Sequence, residues 1–211
     1  MTINCRGESL ILSKDRAIYW DRKKILIISD IHLGKGAHFR NAGIQVPSLV
    51  NTADLDRLTH LLLQFQPDCL LVTGDMFHYQ MNSEVILFSK WRAQYPNLKI
   101  ILIKGNHDSL AASDYEGMRI ETHSTEFLME PFRFIHHQPA VSDEYYNITG
   151  HIHPGVILHG KARQQLKLPC FYFGKTCAIL PAFSIFTGLS KIKSQEGDQF
   201  YAITPQKIFL I

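Results

Sequence analysis

Ile100-Ile101-Leu102-Ile103-Lys104-Gly105-Asn106-His107-Asp108 runs four apolar residues into a glycine and three metal-competent side chains. Short runs rich in Ile, Leu and Val, closed by Gly or Asp, read as buried strands. The same construction recurs along the chain. Ile25-Leu26-Ile27-Ile28 precedes Ser29-Asp30-Ile31-His32, and Cys69-Leu70-Leu71-Val72 precedes Gly74-Asp75. Phe132-Arg133-Phe134-Ile135 leads to His136, and Tyr146-Asn147-Ile148-Thr149 leads to Gly150-His151-Ile152-His153. In open α/β sheets ligands sit beyond the carboxyl ends of strands. Five strands are therefore expected to deliver two Asp, one Asn and several His to one edge, enough to hold two metal ions.

Helical spacing fills the gaps. Asp54 to Phe65 carries Leu55, Leu58, Leu61, Leu62 and Phe65 on one face, and Pro67 closes it. Ser83 to Tyr95 repeats the pattern with Val85, Ile86, Phe88 and Trp91, with Ser83 expected as N-cap and Pro96 as the stop. Ser9 to Leu12 and Ala17 to Trp20 read as a hairpin around Lys14-Asp15. The first half thus alternates strand and helix, the pattern of a layered α/β fold. Beyond Met118 the helical period vanishes. Phe127 to Met129, Val156 to Leu158, Cys170 to Phe173 and Phe200 to Ile203 predict a second sheet packed on the first. No linker-like boundary interrupts the chain, so one domain over residues 1–211 is expected.

The composition, 45% hydrophobic and 19% charged, excludes a disordered chain. A formal charge of +3 permits a polyanionic partner without demanding one. No apolar stretch approaches the roughly 18 to 20 residues that span a bilayer. The segment after Met1 has no signal-peptide core, so a cytoplasmic location with no membrane partner is expected. Cys5, Cys69, Cys170 and Cys177 form no CxxC pair, and reduced thiols are expected.

Two divalent ions about 3.5 to 4 Å apart need one bridging carboxylate and mixed oxygen and nitrogen ligands. Asp75, ending the second strand near the sheet centre, is the natural bridge. Asp30 and His32, two apart on an extended segment, are expected to point the same way. His151 and His153 repeat that spacing, so one segment can serve both ions. Asn106 adds a neutral carbonyl oxygen. Any one of these histidines alone reads as a core or surface residue; the ordered set DxH, GD, GNHD, H, GHxH does not.

That ordered set resembles the calcineurin-like metallophosphoesterase superfamily. More narrowly, the chain resembles the bacterial DNA-ligase-associated metallophosphoesterases, labelled DNA-damage-response endonucleases. The narrower likeness lies in Ser29 to Lys35 running on through His38-Phe39-Arg40, Gly43 and Val46-Pro47. It lies also in Gly74-Asp75-Met76-Phe77-His78, Gly150 to Pro154, Leu168-Pro169-Cys170-Phe171 and Pro181-Ala182-Phe183. The resemblance implies a four-layer α/β/β/α sandwich with a dinuclear centre, most often manganese, with iron, zinc or nickel compatible with the ligand set. By motif position one ion would take Asp30, His32, Asp75 and His153, and the other Asp75, Asn106, His136 and His151. Of the adjacent His136 and His137 only one is expected to face the site; the family's ligand directly follows the strand, which selects His136. Hydroxide bridging the ions is the expected nucleophile on phosphorus. The resemblance gives His107 the role of general acid or charge stabiliser, with Asp108 orienting it.

Lys35, His38 and Arg40, with His78, follow metal motifs and are placed to meet substrate phosphate; a solvated loop or a surface histidine accounts for them as well. His159 to Arg163, with Lys167, is the densest basic stretch near the motifs and a candidate track for a nucleic-acid backbone. The favoured activity is that of a metal-dependent phosphodiesterase or nuclease acting on DNA ends or small diesters. The subfamily implies association with a DNA ligase and a helicase or nuclease in DNA repair. A phosphomonoesterase or nucleotide pyrophosphatase, and a non-catalytic scaffold, stand as alternatives. Against a protein phosphatase, Asp75-Met76-Phe77-His78 lacks the Asp-Arg-Gly that follows GD in those enzymes; against a scaffold, every ligand position is filled.

Overall fold

The computed structural model describes residues 1–41, 43, 49–138, 144–160 and 164–211. The first half holds β1 (Thr2–Cys5), β2 (Glu8–Ser13), β3 (Ala17–Trp20), β4 (Ile25–Ile28), α1 (Lys35–Asn41), α2 (Leu49–Phe65), β5 (Cys69–Val72), α3 (Ser83–Arg92), β6 (Lys99–Ile103), α4 (Ala112–Gly117) and β7 (Ile120–His123). Strands alone follow: β8 (Glu126–Met129), β9 (Phe132–Ile135), β10 (Tyr146–Thr149), β11 (Pro154–His159), β12 (Gln165–Phe173), β13 (Cys177–Ile179), β14 (Ser190–Lys191), β15 (Gln199–Ile203) and β16 (Ile208–Leu210). The first sheet runs β1 to β7 in sequence order, antiparallel through β4 and parallel from β4 to β7. The second runs β14-β11-β12-β13-β10-β9-β8, with β15 and β16 joined to β12.

Strand alternation divides the apolar residues between two cores. Ile25, Ile27, Cys69, Leu71, Ile101 and Ile103 face the second sheet, against Phe132, Phe134, Ile148 and Phe171. Leu26, Ile28, Leu70, Val72, Ile100 and Leu102 face the other way, against Leu58, Leu61, Val85 and Phe88 of α2 and α3. Burial on both faces is why these runs lack polar alternation. The helical cover thus lies on the first sheet. Among the described residues, the outer face of the second sheet carries a small cluster of Tyr172, Cys177 and Ile179.

The helices differ from expectation at their ends. α2 starts at Leu49, ahead of Asp54, and Asp54 is a buried residue inside it that pairs with Arg57. α3 is capped by Asn82, whose side-chain Oδ1 accepts from the Glu84 and Val85 amides, so Ser83 is the first helical residue. It ends at Arg92, whose guanidinium binds the Leu98 and Met118 carbonyls. All four cysteines are free and buried. No helix among the described residues is long and apolar enough to cross a membrane.

Candidate metal centre

Strand register brings the motif residues level. Ile28, Val72 and Leu102 align across β4, β5 and β6, and pairing continues past them. The amides of Asp30 and His32 donate to the Gly74 and Asp75 carbonyls (3.0 and 2.9 Å). Opposite, the carboxyl ends of the parallel strands β9 and β10 supply His136 and His151. The site is therefore a seam between two sheets, three strands from one and two from the other.

Within that seam the side chains converge by a route the sequence did not suggest. Asp30 and His32 do not lie on an extended segment: their φ values are +52° and +50°. Asp75, His151 and His153 also have positive φ, at +49°, +68° and +54°. Left-handed backbone costs an L-residue roughly 1 kcal/mol or more, and Asp and His adopt it more readily than branched residues. Paired left-handed residues, rather than strand pleat, turn Asp30 with His32, and His151 with His153, toward the centre. Clustered strain of this kind is a mark of functional sites.

Asp75 lies at the middle. Its Oδ2 is 3.4 Å from His136 Nε2 on one side and 3.9 Å from His32 Nε2 on the other. Its Oδ1 accepts the His107 amide (3.0 Å). On the His32 side, His153 Nε2 is 3.4 Å from Asp30 Oδ1 and 3.5 Å from His32 Nε2. On the other side, His136 Nε2 is 3.3 Å from Asn106 Oδ1, while its Nδ1–H donates to the Thr73 carbonyl (3.0 Å). That carbonyl fixes the tautomer and leaves Nε2 facing Asp75. Both carboxylates are buried: Asp30 is 0% exposed and Asp75 2%.

The electrostatics suit a cation. Burial alone would raise the Asp75 carboxyl, but the His136 hydrogen bond and charge, with the His107 amide, hold it well below the usual carboxylate range. Burial disfavours charge on His136 too, yet Asp75 beside it raises its pKa. A bound cation would take that proton's place. Burial drives His32 down to about 3 against the pull of Asp30 and Asp75, so its ring is neutral and available as a ligand.

Three motif glycines are required by proximity. A Cβ at Gly74 would overlap the His136 ring, one at Gly105 would overlap the Asp75 carboxylate, and one at Gly150 would overlap Ser29 Oγ and Asp30 Oδ2. GD, GNHD and GHxH thus each keep a glycine where another motif's side chain comes to rest.

Asp108 differs from its expected role. Both its oxygens are taken by backbone, accepting the Phe77 and Gly105 amides at 2.8 Å each. It braces the two motif loops and does not orient the His107 ring, whose Nδ1 has no hydrogen-bond partner among the described residues. That ring is instead positioned by His78, stacked on it at 4.8 Å between centroids, and by Tyr79, edge-on at 4.8 Å. Asp108→Asn should replace one acceptor by an NH2 facing an amide, lowering stability by about 1–3 kcal/mol. A melting curve of metal-free protein checks it; an unchanged curve would remove the brace.

The remaining candidates divide. Lys35, half-buried at the start of α1, lies within the fields of Asp75 and Asp30, and burial lowers its pKa. His38 is exposed and continues the histidine column, 5.1 Å from His78 between ring centroids. Arg40 is held by Glu84 (2.8 Å), which also accepts the Gly34 amide, so it ties α1 to α3. His136 and His137 both border the site, contrary to the expectation that only one would. Of the basic stretch, Lys161 to Arg163 lie outside the described residues, as do Val46 and Pro47.

Several contributors were not legible beforehand. Ser29 Oγ donates to Asp30 Oδ2 (2.5 Å). The Phe183 and Ser184 amides donate to the Ser29 and Asp30 carbonyls (2.7 and 3.2 Å). That loop is gripped by Arg16, bound to the Ala182 and Ser184 carbonyls, and by Arg57, bound to Asp54 and the Phe183 carbonyl. The Pro181-Ala182-Phe183 block was a signal; its two arginine clamps, remote in sequence, gave none.

Donor chemistry and burial fit divalent cations. Asp30, His32 and His153 form one group of ligand atoms within 4.8 Å of one another, and Asp30, Asp75 and His136 another. A family model described as calcineurin-like phosphoesterase matches residues 23–193. The crystal structure of the Pseudomonas putida nuclease MPE is similar at 30% identity and a TM-score of 0.82, covering 100% of this chain and 99% of that one. No curated protein matches by sequence.

Proposed function

Because the chain belongs to the calcineurin-like phosphoesterase family, and is a metal-dependent hydrolase of phosphoester bonds, we propose that it is a two-metal phosphodiesterase acting on DNA. The observation that carries this is the placement of Asp75 between His32 and His136. One ion would be held by Asp30, His32, Asp75 and His153, the other by Asp75, Asn106, His136 and His151. When bound, such a pair supplies Lewis acidity and brings the pKa of water toward neutrality. Manganese is the first ion to test; iron, zinc and nickel also suit these donors. The nucleic-acid part of the reading draws on the similar Pseudomonas putida protein being a nuclease. Association with a DNA ligase and a helicase or second nuclease in DNA repair belongs to the same proposal and rests on the subfamily motifs.

The chain's own residues complete the chemistry. His107 keeps its backbone on Asp75 while its ring, 23% exposed, stands on the open side. From there Nε2 can give a proton to a departing oxygen. Lys35 offsets phosphate charge, and His78 and His38 extend the column toward the rim. His107→Ala should cut turnover about 10²- to 10⁴-fold while metal content stays near two ions per chain. Metal lost together with activity would reassign His107 to structure.

A substrate panel tests the function itself. With each metal added back, the protein should cleave a chromogenic phosphodiester faster than the matching monoester, and should cut single-stranded, duplex or nicked DNA. Preference for the monoester would favour a phosphatase, and inactivity with metals bound would favour a scaffold.

A further inference from the structure

We propose that His137 adds a third imidazole to the metal position built on Asn106, His136 and His151, making that position nitrogen-rich and selective for zinc over manganese. This rests on the two-metal reading above and adds to it a residue and a preference. Ligand atoms of His136, His137 and His151 lie within 4.8 Å of one another. Nitrogens around one ion at metal–nitrogen distances of about 2 Å stand about 3.3 Å apart in tetrahedral geometry, so side-chain rotations that draw these atoms together by up to about 1.5 Å would close the set. The His137 ring centroid is 4.1 Å from that of His151 and 4.6 Å from that of His136.

Adjacent residues share this side because β9 ends at Ile135 and the chain bends at His136 and His137. In a continuing strand their side chains would oppose one another. His136 is buried and tied to the Thr73 carbonyl, whereas His137 and His151 are exposed. His137 therefore approaches the position from its open face.

The two positions are then chemically unequal. Asp30, His32, Asp75 and His153 present two carboxylates and two imidazoles. Asp75, Asn106, His136, His137 and His151 present one shared carboxylate, one amide oxygen and three imidazoles. Imidazole suits zinc, and carboxylate suits manganese.

The test loads metal-free protein with manganese and graded zinc and counts both ions per chain by mass spectrometry. Wild type should take one zinc first and keep one manganese. His137→Ala should still bind two manganese ions but lose about tenfold in zinc-over-manganese selectivity, within the range for a supporting metal-site residue. His123→Ala, whose lost ring contacts Glu121 and Phe127 rather than the metal position, should behave as wild type. Unchanged selectivity in His137→Ala would overturn the proposal, and so would complete loss of the second ion, which would make His137 the principal ligand. Those results leave the two-metal reading standing. Wild-type protein that binds no divalent ion would overturn both.

Discussion

Asparagine in place of Asp75 is expected to lower turnover by at least about 10³-fold and to release one or both metal ions. The change keeps the side chain's volume and its Oδ1 acceptor, which holds the His107 amide at 3.0 Å. What it removes is the charge on Oδ2, the atom facing both His136 and His32. Stabilisation of transition-state charge by metal ions amounts to several kcal/mol. At 1.36 kcal/mol per factor of ten, about 4 kcal/mol corresponds to about 10³-fold in rate. Because the fold's two cores lie on the two faces of the first sheet and include none of the candidate ligands, the metal-free variant should still melt cooperatively. Metal content and turnover measured together decide the matter. Two retained ions with turnover within tenfold of wild type would show that Asp75 does not bridge.

Alanine at Gly74 should have the next largest effect, and on a different quantity. Gly74 has φ +94°, and an added Cβ would run into the His136 ring. Left-handed strain costs about 1–2 kcal/mol and forced overpacking about 1–3 kcal/mol. Together they predict a loss of roughly 2–5 kcal/mol, or a melting temperature lower by about 4–20 °C in a chain of this size. His136 would also be pushed from Asp75, so the position it shares with Asn106 and His151 should empty first. Gly197 separates strain from crowding: its φ is +88°, yet nothing lies within 4 Å of the added carbon. Gly197→Ala should therefore cost only the strain and keep full metal content. Equal losses in both variants would mean that the His136 contact is unimportant.

The strands that carry the site were legible because β4, β5 and β6 are short apolar runs buried on both faces, and β9 and β10, though they include Arg133, Asn147 and Thr149, lead directly into histidine motifs. Their order in the sheets was not, since no residue pattern distinguishes a strand's neighbours. α1 over Lys35–Asn41 was missed because Gly36, His38 and Arg40 leave it no apolar stripe. The N-cap of α3 fell one residue early, at Asn82, since Asn and Ser cap alike and only the hydrogen bonds separate them. The motif residues themselves were legible from order alone, but the means of their convergence was not. Positive φ at Asp30, His32, Asp75, His151 and His153 is imposed by tertiary pairing. Asp108 shows the same limit: its position in GNHD suggested a partner for His107, but the long-range Phe77 amide and the Gly105 amide of its own motif claimed it instead.

Anomalous scattering from a manganese-loaded crystal tests the central claim most directly. Two peaks about 3.5–4 Å apart are predicted, with the Asp75 carboxylate between them. One should lie among Asp30, His32 and His153, and the other among Asn106, His136 and His151. A single peak, or two peaks with the Asp75 carboxylate touching only one, would contradict the account.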